Sequence, residues 1–340
     1  MYNKVAIVIL NWNGRKFLEQ FLPGVIQHSS DAAVIVADNA SSDTSVEWVQ
    51  QNYPGVRVIL NPRNEGFSKG YNLALRQVKA EYFILLNSDV QVTAGWLDPL
   101  LDLMEKNPQV AACQPKIRSF TQPEYFEYAG GAGGYIDRFG YPFCRGRLFD
   151  HLEKDEGQYD DEKTVLWATG ACLMIRSKLY HQAGGLDEDF FAHMEEIDLC
   201  WRLNLMGYQV KYCPDSIIYH VGGGTLNKTS PTKTYLNFRN NLALLVKNLP
   251  LSSLIFIFSI RLILDGVAGA KFIFTDSFAH TRAVIRAHFY IYFNLGKLFG
   301  KRKAVRFISK VQHPKYGMYK GLVVWDYFIK GKKTFRDLNF

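Results

Sequence analysis

The sequence predicts an α/β fold built on a parallel sheet with helices on both faces, followed by a helical C-terminal region. Near-continuous apolar segments alternate with helical patterns in the first quarter of the chain. Such segments are typical of strands that are buried on both faces of a parallel sheet. Beyond about residue 225 the pattern changes to long helices in which Lys and Arg alternate with large apolar residues. We therefore predict one domain at residues 1–225 and a helical region at residues 226–340.

Composition excludes several classes of protein. The 340 residues, 48% of them hydrophobic, can bury a full core. The five cysteines form no CxxC pair, which argues against a zinc site or a disulfide framework and favours reduced, buried thiols. The first apolar segment lacks the features of a signal peptide, so we expect a cytoplasmic protein. The net charge of +8 comes without a nucleic-acid motif, so we expect no nucleic-acid partner and favour an anionic substrate or a membrane surface.

The elements of the first half follow in alternating order. We predict strands at residues 4–11, 32–39, 56–61 and 81–87. Helices are predicted at residues 15–29, 42–53 and 68–79, the second of them capped by Ser42 or Asp43.

The second half begins with a helix after Trp96. The glycine-rich, aromatic stretch at residues 128–147 favours a loop or hairpin. A strand, a helix and a loop come next, and then a helix from about Glu196 to Met206 that ends at Gly207. A last strand ends at His220.

Polar side chains stand at the carboxyl ends of the first four predicted strands: Asn11, Asp38, Asn61 and Asn87. Ligands of open parallel sheets bind beyond these ends. Asp38 can accept a hydrogen bond from a nucleobase or a ribose, although an Asx turn or a helix cap explains it equally well.

The segment "NEGFSKGYN" places Asn64, Gly66, Gly70 and Asn72 at the start of a helix. Glycines there allow close approach of a ligand, and a helix N-terminus with basic neighbours suits a diphosphate. The pattern is not GxGxxG, so a dinucleotide site is not predicted.

Three further positions offer acid–base or metal chemistry. Asp89 follows the strand "YFILLN" and can bind a divalent cation such as Mg²⁺ or Mn²⁺; the alternative is a solvated turn carboxylate. Glu195, Glu196 and Asp198 begin a helix, where acidic residues also favour the helix dipole, but crowded carboxylates gain proton affinity and can act as a base. His220, before three glycines, is either structural or a metal ligand.

Seven motifs in order, "VAIVILNWN", "VADNASSD", "NEGFSKGYN", "LLNSD", "TGACLMIR", "GGLDEDFFAHMEEIDLCWR" and "YHVGGGT", resemble glycosyltransferase family 2. The resemblance covers roughly residues 4–250 and is strongest for rhamnosyltransferase-like members of bacterial polysaccharide pathways. It implies a GT-A fold, an inverting mechanism, a nucleotide-diphosphate sugar donor, with dTDP- or UDP-linked sugars expected, and Mg²⁺ or Mn²⁺ as cofactor.

The resemblance also implies roles for individual residues. Asp89 and His220 would hold the metal, and Glu196 would be the catalytic base, with Glu195 and Asp198 beside it. The donor nucleotide would contact Asn11, Asp38, Asn64, Gly66, Gly70, Asn87 and Ser88. The family's metal motif is often Asp-x-Asp, whereas Asn87-Ser88-Asp89 has one carboxylate fewer. The base is usually aspartate, which leaves both Glu195 and Glu196 open.

Two other functions fit part of this pattern. A nucleotidyltransferase would usually have a basic, glycine-rich loop after the first strand, and "NWNGRKF" is a poor version of one. A non-catalytic nucleotide-sugar-binding module would not need the acidic group at residues 195–198.

The C-terminal region carries apolar helix faces with a basic cluster beside them, formed by Lys297, Lys301, Arg302, Lys303 and Arg306. This pattern favours peripheral binding to an anionic membrane, where a glycan or lipid-linked acceptor would be presented on the inner face of the plasma membrane. The apolar stretch at residues 251–274 is interrupted by Arg261, Asp265 and Lys271, which predicts an amphipathic helix instead of a transmembrane one. The alternative is packing within the protein or against a second copy in a homodimer.

Overall fold

The computed structural model describes residues 3–128, 130–222 and 230–340. Its strands are β1 (Asn3–Asn11), β2 (Ala32–Asp38), β3 (Arg57–Leu60), β4 (Ala80–Asn87), β5 (Val90–Val92), β6 (Val110–Ser119), β7 (Gly134–Asp137), β8 (Pro142–Cys144), β9 (Arg147–Leu148), β10 (His151–Leu152), β11 (Lys163–Val165), β12 (Cys172–Arg176), β13 (Gln209–His220) and β14 (Met318–Tyr319). Its helices are α1 (Arg15–Gln27), α2 (Ser45–Asn52), α3 (Gly66–Leu75), α4 (Leu97–Lys106), α5 (Ser177–Gln182), α6 (Glu195–Leu205), α7 (Pro231–Asn248), α8 (Leu251–Thr275), α9 (Phe278–Phe293), α10 (Leu295–Ile308) and α11 (Val323–Phe328), with short 3₁₀ helices at Glu188–Phe190 and Arg336–Leu338.

A mixed sheet forms the centre of the protein, in the order β11-β13-β6-β12-β4-β1-β2-β3, with β5 paired to β13. The predicted parallel arrangement is confirmed for β1 to β4. Strand β12 runs antiparallel to β4 and β6, and β13 runs parallel to β6. The beginning of β12 and the end of β13 therefore lie at the same edge as the carboxyl ends of β1 to β4.

Helices cover both faces of this sheet, as the apolar strands predict. On one face, α1, α2 and α4 pack through buried residues such as Leu18, Val49 and Leu100. On the other face, α3, α5 and α6 form a second core with the C-terminal helices. Two predicted helix starts shift: α2 begins at Ser45 after Thr44, not at Ser42 or Asp43, and α3 runs from Gly66 to Leu75.

The glycine-rich stretch forms part of a second sheet, in the order β10-β9-β8-β7-β14, and not only a loop or hairpin. Gly134 in β7 lies so close to Trp167 that a Cβ there would come within 2.0 Å of the indole. Strand β14 returns from the C-terminal end of the chain to pair with β7. Strands β7 and β8 form the hairpin that the composition favours, whereas the pairing of β7 with β14 has no local signal because its partner is distant in sequence.

Helix α7, beyond the predicted domain boundary, is part of the main core. Lys247 and Asn248 bind the buried carboxylate of Asp198 in α6, the former at 2.9 Å from Oδ2 and the latter at 2.9 Å from Oδ1. Arg202 adds a further bond at 2.9 Å. The helices after residue 230 therefore fold against the first 225 residues instead of standing apart from them.

Helix α8 is long and apolar enough to cross a membrane by length and composition, and only 22% of its most apolar 18-residue segment is buried inside the protein. Its two central charges point into the protein: Arg261 binds Asp265 and Asn241, and Asp265 also contacts His288 at 3.1 Å. Most of the apolar side chains on its other sides are exposed, including Ile263 and Phe274.

We expect Lys247→Met to lower the free energy of unfolding by about 3–5 kcal/mol, because the substitution leaves Asp198 buried with fewer cationic partners. Urea denaturation of the variant and the wild type measures this difference. Lys303→Met, at an exposed position of α10, is the control and should change stability by less than about 0.5 kcal/mol. Equal stability of Lys247→Met and the wild type would show that the ion pairs do not hold α7.

Candidate active site at the carboxyl edge of the sheet

Asn11 and Asp38 form the floor of the site. The register of β1 and β2 sets them side by side, and Nδ2 of Asn11 donates to Oδ1 of Asp38 at 2.9 Å. Ser41 donates its backbone N–H to Oδ2 of Asp38 at 2.8 Å. The predicted convergence of polar strand ends is therefore present, and Asp38 is buried within it.

The N-terminus of α3 is closed by the protein itself, which corrects the prediction of a diphosphate site there. The backbone N–H groups of Phe67 and Ser68 donate to the carbonyl oxygen of Phe191 at 2.7 and 3.3 Å. The N–H of Gly66 donates to Oδ1 of Asn64 at 3.0 Å. The amides that would hold phosphate oxygens are thus already bonded.

The other residues of this segment also have structural partners. A Cβ on Gly70 would come within 2.8 Å of the Asn39 amide, so glycine permits close packing here. Asn72 donates to the carbonyl of Leu186 at 2.8 Å. Lys69 pairs with Glu65 at 2.9 Å. Gly66, Gly70 and Asn64 shape the wall of the site instead of leaving an open cradle.

Asp89 and His220 meet at the end of the sheet. Val90 lies opposite His220 in the β5–β13 pairing, and Nε2 of His220 is 3.1 Å from Oδ1 of Asp89. The side-chain amide of Asn87 lies 3.4 Å from the same nitrogen, and Ser88 is partly exposed beside it. Of the three glycines that follow His220, Gly223 and Gly224 lie outside the described residues.

Glu127 lies on the other side of His220 and was missed from the sequence. Its Oε1 is 3.4 Å from Nδ1 of His220. It stands in the glycine-rich, aromatic stretch, where no local pattern distinguishes it. Backbone bonds to β6 bring it to this edge, among them the bond from its N–H to the carbonyl of Ile117 at 3.0 Å and the antiparallel bridge between Phe126 and Arg118.

The two carboxylates change the ionisation of the imidazole between them. Burial alone would lower the pKa of His220, but Glu127 and Asp89 together raise it to about 10. Burial would raise the pKa of Asp89, whereas the bond to His220 lowers it below the usual range. Asp89 is therefore held as a carboxylate at neutral pH.

Glu195 and Glu196 begin α6 with one carboxylate oxygen each buried and without a hydrogen-bond partner. Burial raises the pKa of Glu196 to about 7, and burial together with Glu196 raises that of Glu195 well above its ordinary value. Glu195 is 5% exposed, whereas Glu196 is only partly buried. Of the two, Glu196 is the one that a substrate can reach.

Asp198 does not belong to this acidic pair, which corrects its grouping with the catalytic residues. In the interior, its Oδ1 accepts a hydrogen bond from Asn248, and its Oδ2 accepts hydrogen bonds from the cations Arg202 and Lys247. These cations lower the pKa of Asp198 against the effect of its burial. It joins α6 to α7 and has no free oxygen for a substrate.

A strained turn precedes the two glutamates. Phe191, His193 and Met194 all have positive φ, at 62°, 70° and 71°, a conformation that costs non-glycine residues energy. The amide of Asn240 in α7 holds the turn by donating to the carbonyls of Phe190, Ala192 and His193 at 2.8–2.9 Å. No local signal in the sequence predicts this contact.

One turn connects the two halves of the site. The backbone N–H of Asn87 donates to the carbonyl of Ala171 at 3.0 Å. Gly170, next to it, packs against Glu196, whose Cβ lies 3.9 Å from where a Cβ of Gly170 would stand. Asn87, two residues before Asp89, and Glu196 thus both lie next to the segment between β11 and β12.

Sequence comparisons place the chain among glycosyltransferases. Residues 6–182 match the protein family described as "Glycosyl transferase family 2". An N-acetylglucosaminyl-diphospho-decaprenol L-rhamnosyltransferase of Mycobacterium tuberculosis is 28% identical over 235 residues, which cover 65% of this chain and 76% of the relative. Rhamnosyltransferase WbbL of Escherichia coli K12 is 24% identical over 217 residues, or 62% of this chain and 80% of the relative.

Solved structures share the fold. GalNAc-T7, with UDP, GalNAc and Mn²⁺, superposes with a TM-score of 0.57 at 16% identity, over 72% of this chain and 48% of its own. Residues 1–349 of S. aureus TarS, with UDP-GlcNAc, superpose with a TM-score of 0.54 at 14% identity, over 90% of this chain and 84% of the TarS chain. Together, the family match, the rhamnosyltransferase relatives and the shared GT-A fold show that this chain is a glycosyltransferase of family 2.

Proposed function

We propose that the protein is a metal-dependent, inverting glycosyltransferase that moves a sugar from a nucleotide-diphosphate sugar to a hydroxyl of a glycan or lipid-linked acceptor. The observation that carries the proposal is the pairing of two unlike acidic sites at one sheet edge. Asp89 is held ionised beside His220, while Glu196 has a pKa near neutrality and a free oxygen. Oppositely shifted carboxylates suit one group that binds a cation and another that accepts a proton.

The donor nucleotide would lie over Asn11 and Asp38. Oδ1 of Asn11 is buried and without a hydrogen-bond partner, so it can accept from a ligand N–H or hydroxyl. Bound UDP and UDP-GlcNAc in the two structural neighbours, and rhamnosyl transfer in the relatives' names, support a UDP- or dTDP-linked sugar.

The residues at Asp89 fit a Mg²⁺ or Mn²⁺ ion that is shared with a substrate. The described residues contain no group of three or more His, Cys, Asp or Glu side chains arranged for a metal. Asp89 and His220 instead offer one oxygen and one nitrogen ligand, and hard divalent cations complete their shell with phosphate and water oxygens. When bound, such an ion neutralises the charge that develops on the leaving diphosphate.

Glu196 would take the proton from the acceptor hydroxyl. The acceptor oxygen then attacks the anomeric carbon from the side opposite the leaving nucleoside diphosphate, which inverts that carbon without a covalent enzyme intermediate. The strained turn at residues 191–194, held by Asn240, fixes where α6 begins and therefore where this carboxylate lies.

The acceptor would be presented at a membrane surface formed by α8 and α9. Large apolar side chains are exposed along both helices: Ile255, Phe256, Ile263, Val267, Phe274, Phe278, Phe289 and Phe293. Exposed cations, Lys271 and Arg282, lie among them and suit anionic headgroups. The lipid-linked acceptor named for the mycobacterial relative supports such a location.

The basic cluster predicted from sequence is mostly used inside the protein, which corrects its assignment to the membrane. Lys297 pairs with Asp189 at 2.7 Å, and Lys301 pairs with Asp187 and Asp189. Arg302 and Arg306 donate to backbone carbonyls of α7 and the residue after it. These contacts fasten α10 to the catalytic region.

We expect Asp89→Asn to lower kcat/KM by about 10²-fold or more, because the amide removes the anionic metal ligand while keeping its size. The fold should persist, as judged by circular dichroism and the melting temperature. Nucleotide-sugar consumption in a Mn²⁺ titration measures the effect, and Asp215→Asn, exposed on β13, is the control. Wild-type activity of Asp89→Asn at limiting Mn²⁺ would refute the role of Asp89.

For the base, Glu196→Gln should reduce kcat by about 10²–10⁴-fold while donor binding is retained, since an amide cannot accept the proton. In the wild type kcat/KM should rise with pH to a plateau, with a midpoint near 7, because only the ionised carboxylate acts as a base. A pH–rate profile and nucleotide binding by calorimetry test this. Glu195→Gln should be milder, and the reverse ranking would assign the base to Glu195.

Membrane binding can be measured by flotation with vesicles of anionic phospholipid. The wild type should float at low salt and be partly released at high salt, because both apolar burial and charge contribute. Ile263→Glu should abolish flotation, whereas Leu60→Glu, an equally exposed apolar position on β3, should not. Wild-type protein that stays at the bottom of the gradient at low salt would contradict the proposal.

A further inference from the structure

We propose that Glu127 is a positioning residue of the metal site: it orients His220 and supplies, through the imidazole, the negative charge that Asn87 does not provide. This inference rests on the proposed function, because it concerns how strongly the site binds its divalent cation. It adds a residue to which neither the sequence motifs nor the family match assigns a role.

The geometry gives the two nitrogens of His220 different surroundings. Nε2 lies 3.1 Å from Asp89 and 3.4 Å from the Asn87 amide, on the side where the strand ends converge. Nδ1 lies 3.4 Å from Oε1 of Glu127, on the opposite side. Both His220 and Glu127 are about 5% exposed or less, so water competes little for these contacts.

This arrangement favours the tautomer that a metal ligand requires. A cation at Asp89 would displace the proton on Nε2, while the negative charge of Glu127, 3.4 Å from Nδ1, would favour keeping the remaining proton on Nδ1 and leave the lone pair of Nε2 to the cation. A carboxylate behind a histidine ligand also raises its basicity, and removing such a partner typically costs 10–100-fold in metal affinity.

Charge makes this partner more important here than at a site with two carboxylates. Asp89 is the carboxylate that contacts Nε2 of His220 among the described residues, while Asn87, two residues before it, is neutral. A divalent cation would therefore meet one anionic protein ligand. Glu127 lies behind the imidazole ring of His220, on the Nδ1 side, and brings a second negative charge close to the ion.

Glu127 is held in place from two directions. Its backbone is bonded to Ile117 in β6, and the ring of the preceding Phe126 is fully buried. On the carboxylate side, a Cβ on Gly222 would lie 2.7 Å from Oε1 of Glu127, and Gly222 has a positive φ of 71°. The chain after His220 therefore passes directly over the carboxylate and limits its movement.

The test measures Mn²⁺ binding directly, by electron paramagnetic resonance of free Mn²⁺ with the full chain and saturating UDP. E127Q should weaken Mn²⁺ binding by about 10–100-fold and leave the affinity for UDP without metal unchanged. E124Q, three residues away and exposed, is the matched control and should bind Mn²⁺ as the wild type does. Melting temperatures identify any variant that has lost its fold.

A second variant separates the supply of charge from a purely structural role. If Glu127 compensates for the neutral Asn87, N87D in the E127Q background should restore most of the lost Mn²⁺ affinity, since the new carboxylate lies beside the same imidazole. Restoration would support the proposal.

Three outcomes would overturn the proposal. One is unchanged Mn²⁺ affinity in E127Q. Another is an equal gain from N87D with and without Glu127. The third is a wild type that binds no Mn²⁺ with UDP, and this also contradicts metal dependence in the proposed function. The first two leave metal dependence intact and remove only the role of Glu127.

Discussion

The alignment of strand ends along one edge of the central sheet is the constraint on which the site depends. Parallel pairing of β1 with β2 and β4 places Asn11 beside Asp38 and sets Asn87 beside Leu10, one residue before Asn11. The β5–β13 pairing then brings His220 to Asp89 across 131 positions of sequence. A shift of one residue in either register would turn these side chains to the wrong face of the sheet.

Helix α7 extends this constraint to the base. Its Asn240 holds the strained turn before Glu195, and its Lys247 and Asn248 bind Asp198 within α6. Helix α10 adds to the same region through Lys301, which pairs with Asp187 and Asp189. The C-terminal helices therefore support the position of the catalytic carboxylate. Hydrogen bonds and ion pairs connect these helices to the region of α6.

The elements that the sequence predicts well are those with local causes. Apolar runs that end in a polar residue identify β1, β2 and β4, and with them Asp38 and Asp89. The features that were missed depend on distant partners. Glu127 reaches the site through its bridge to β6, and the N-terminus of α3 is closed by the carbonyl of Phe191, more than 120 residues away. The sequence predicts a free surface for the basic cluster of α10 because its partners, Asp187 and Asp189, also lie far away in the chain.

The electrostatics of the two halves explain why both are built from carboxylates and yet behave differently. Asp89 lies beside the imidazole of His220, which lowers its pKa, whereas burial raises the pKa of Glu196 to about 7. A carboxylate with a low pKa binds a cation at neutral pH without competition from protons. One with a pKa near 7 can take up a proton and release it again at little cost. Burial raises the pKa of both carboxyls, so the difference between the two sites is set by His220, which lowers the pKa of Asp89.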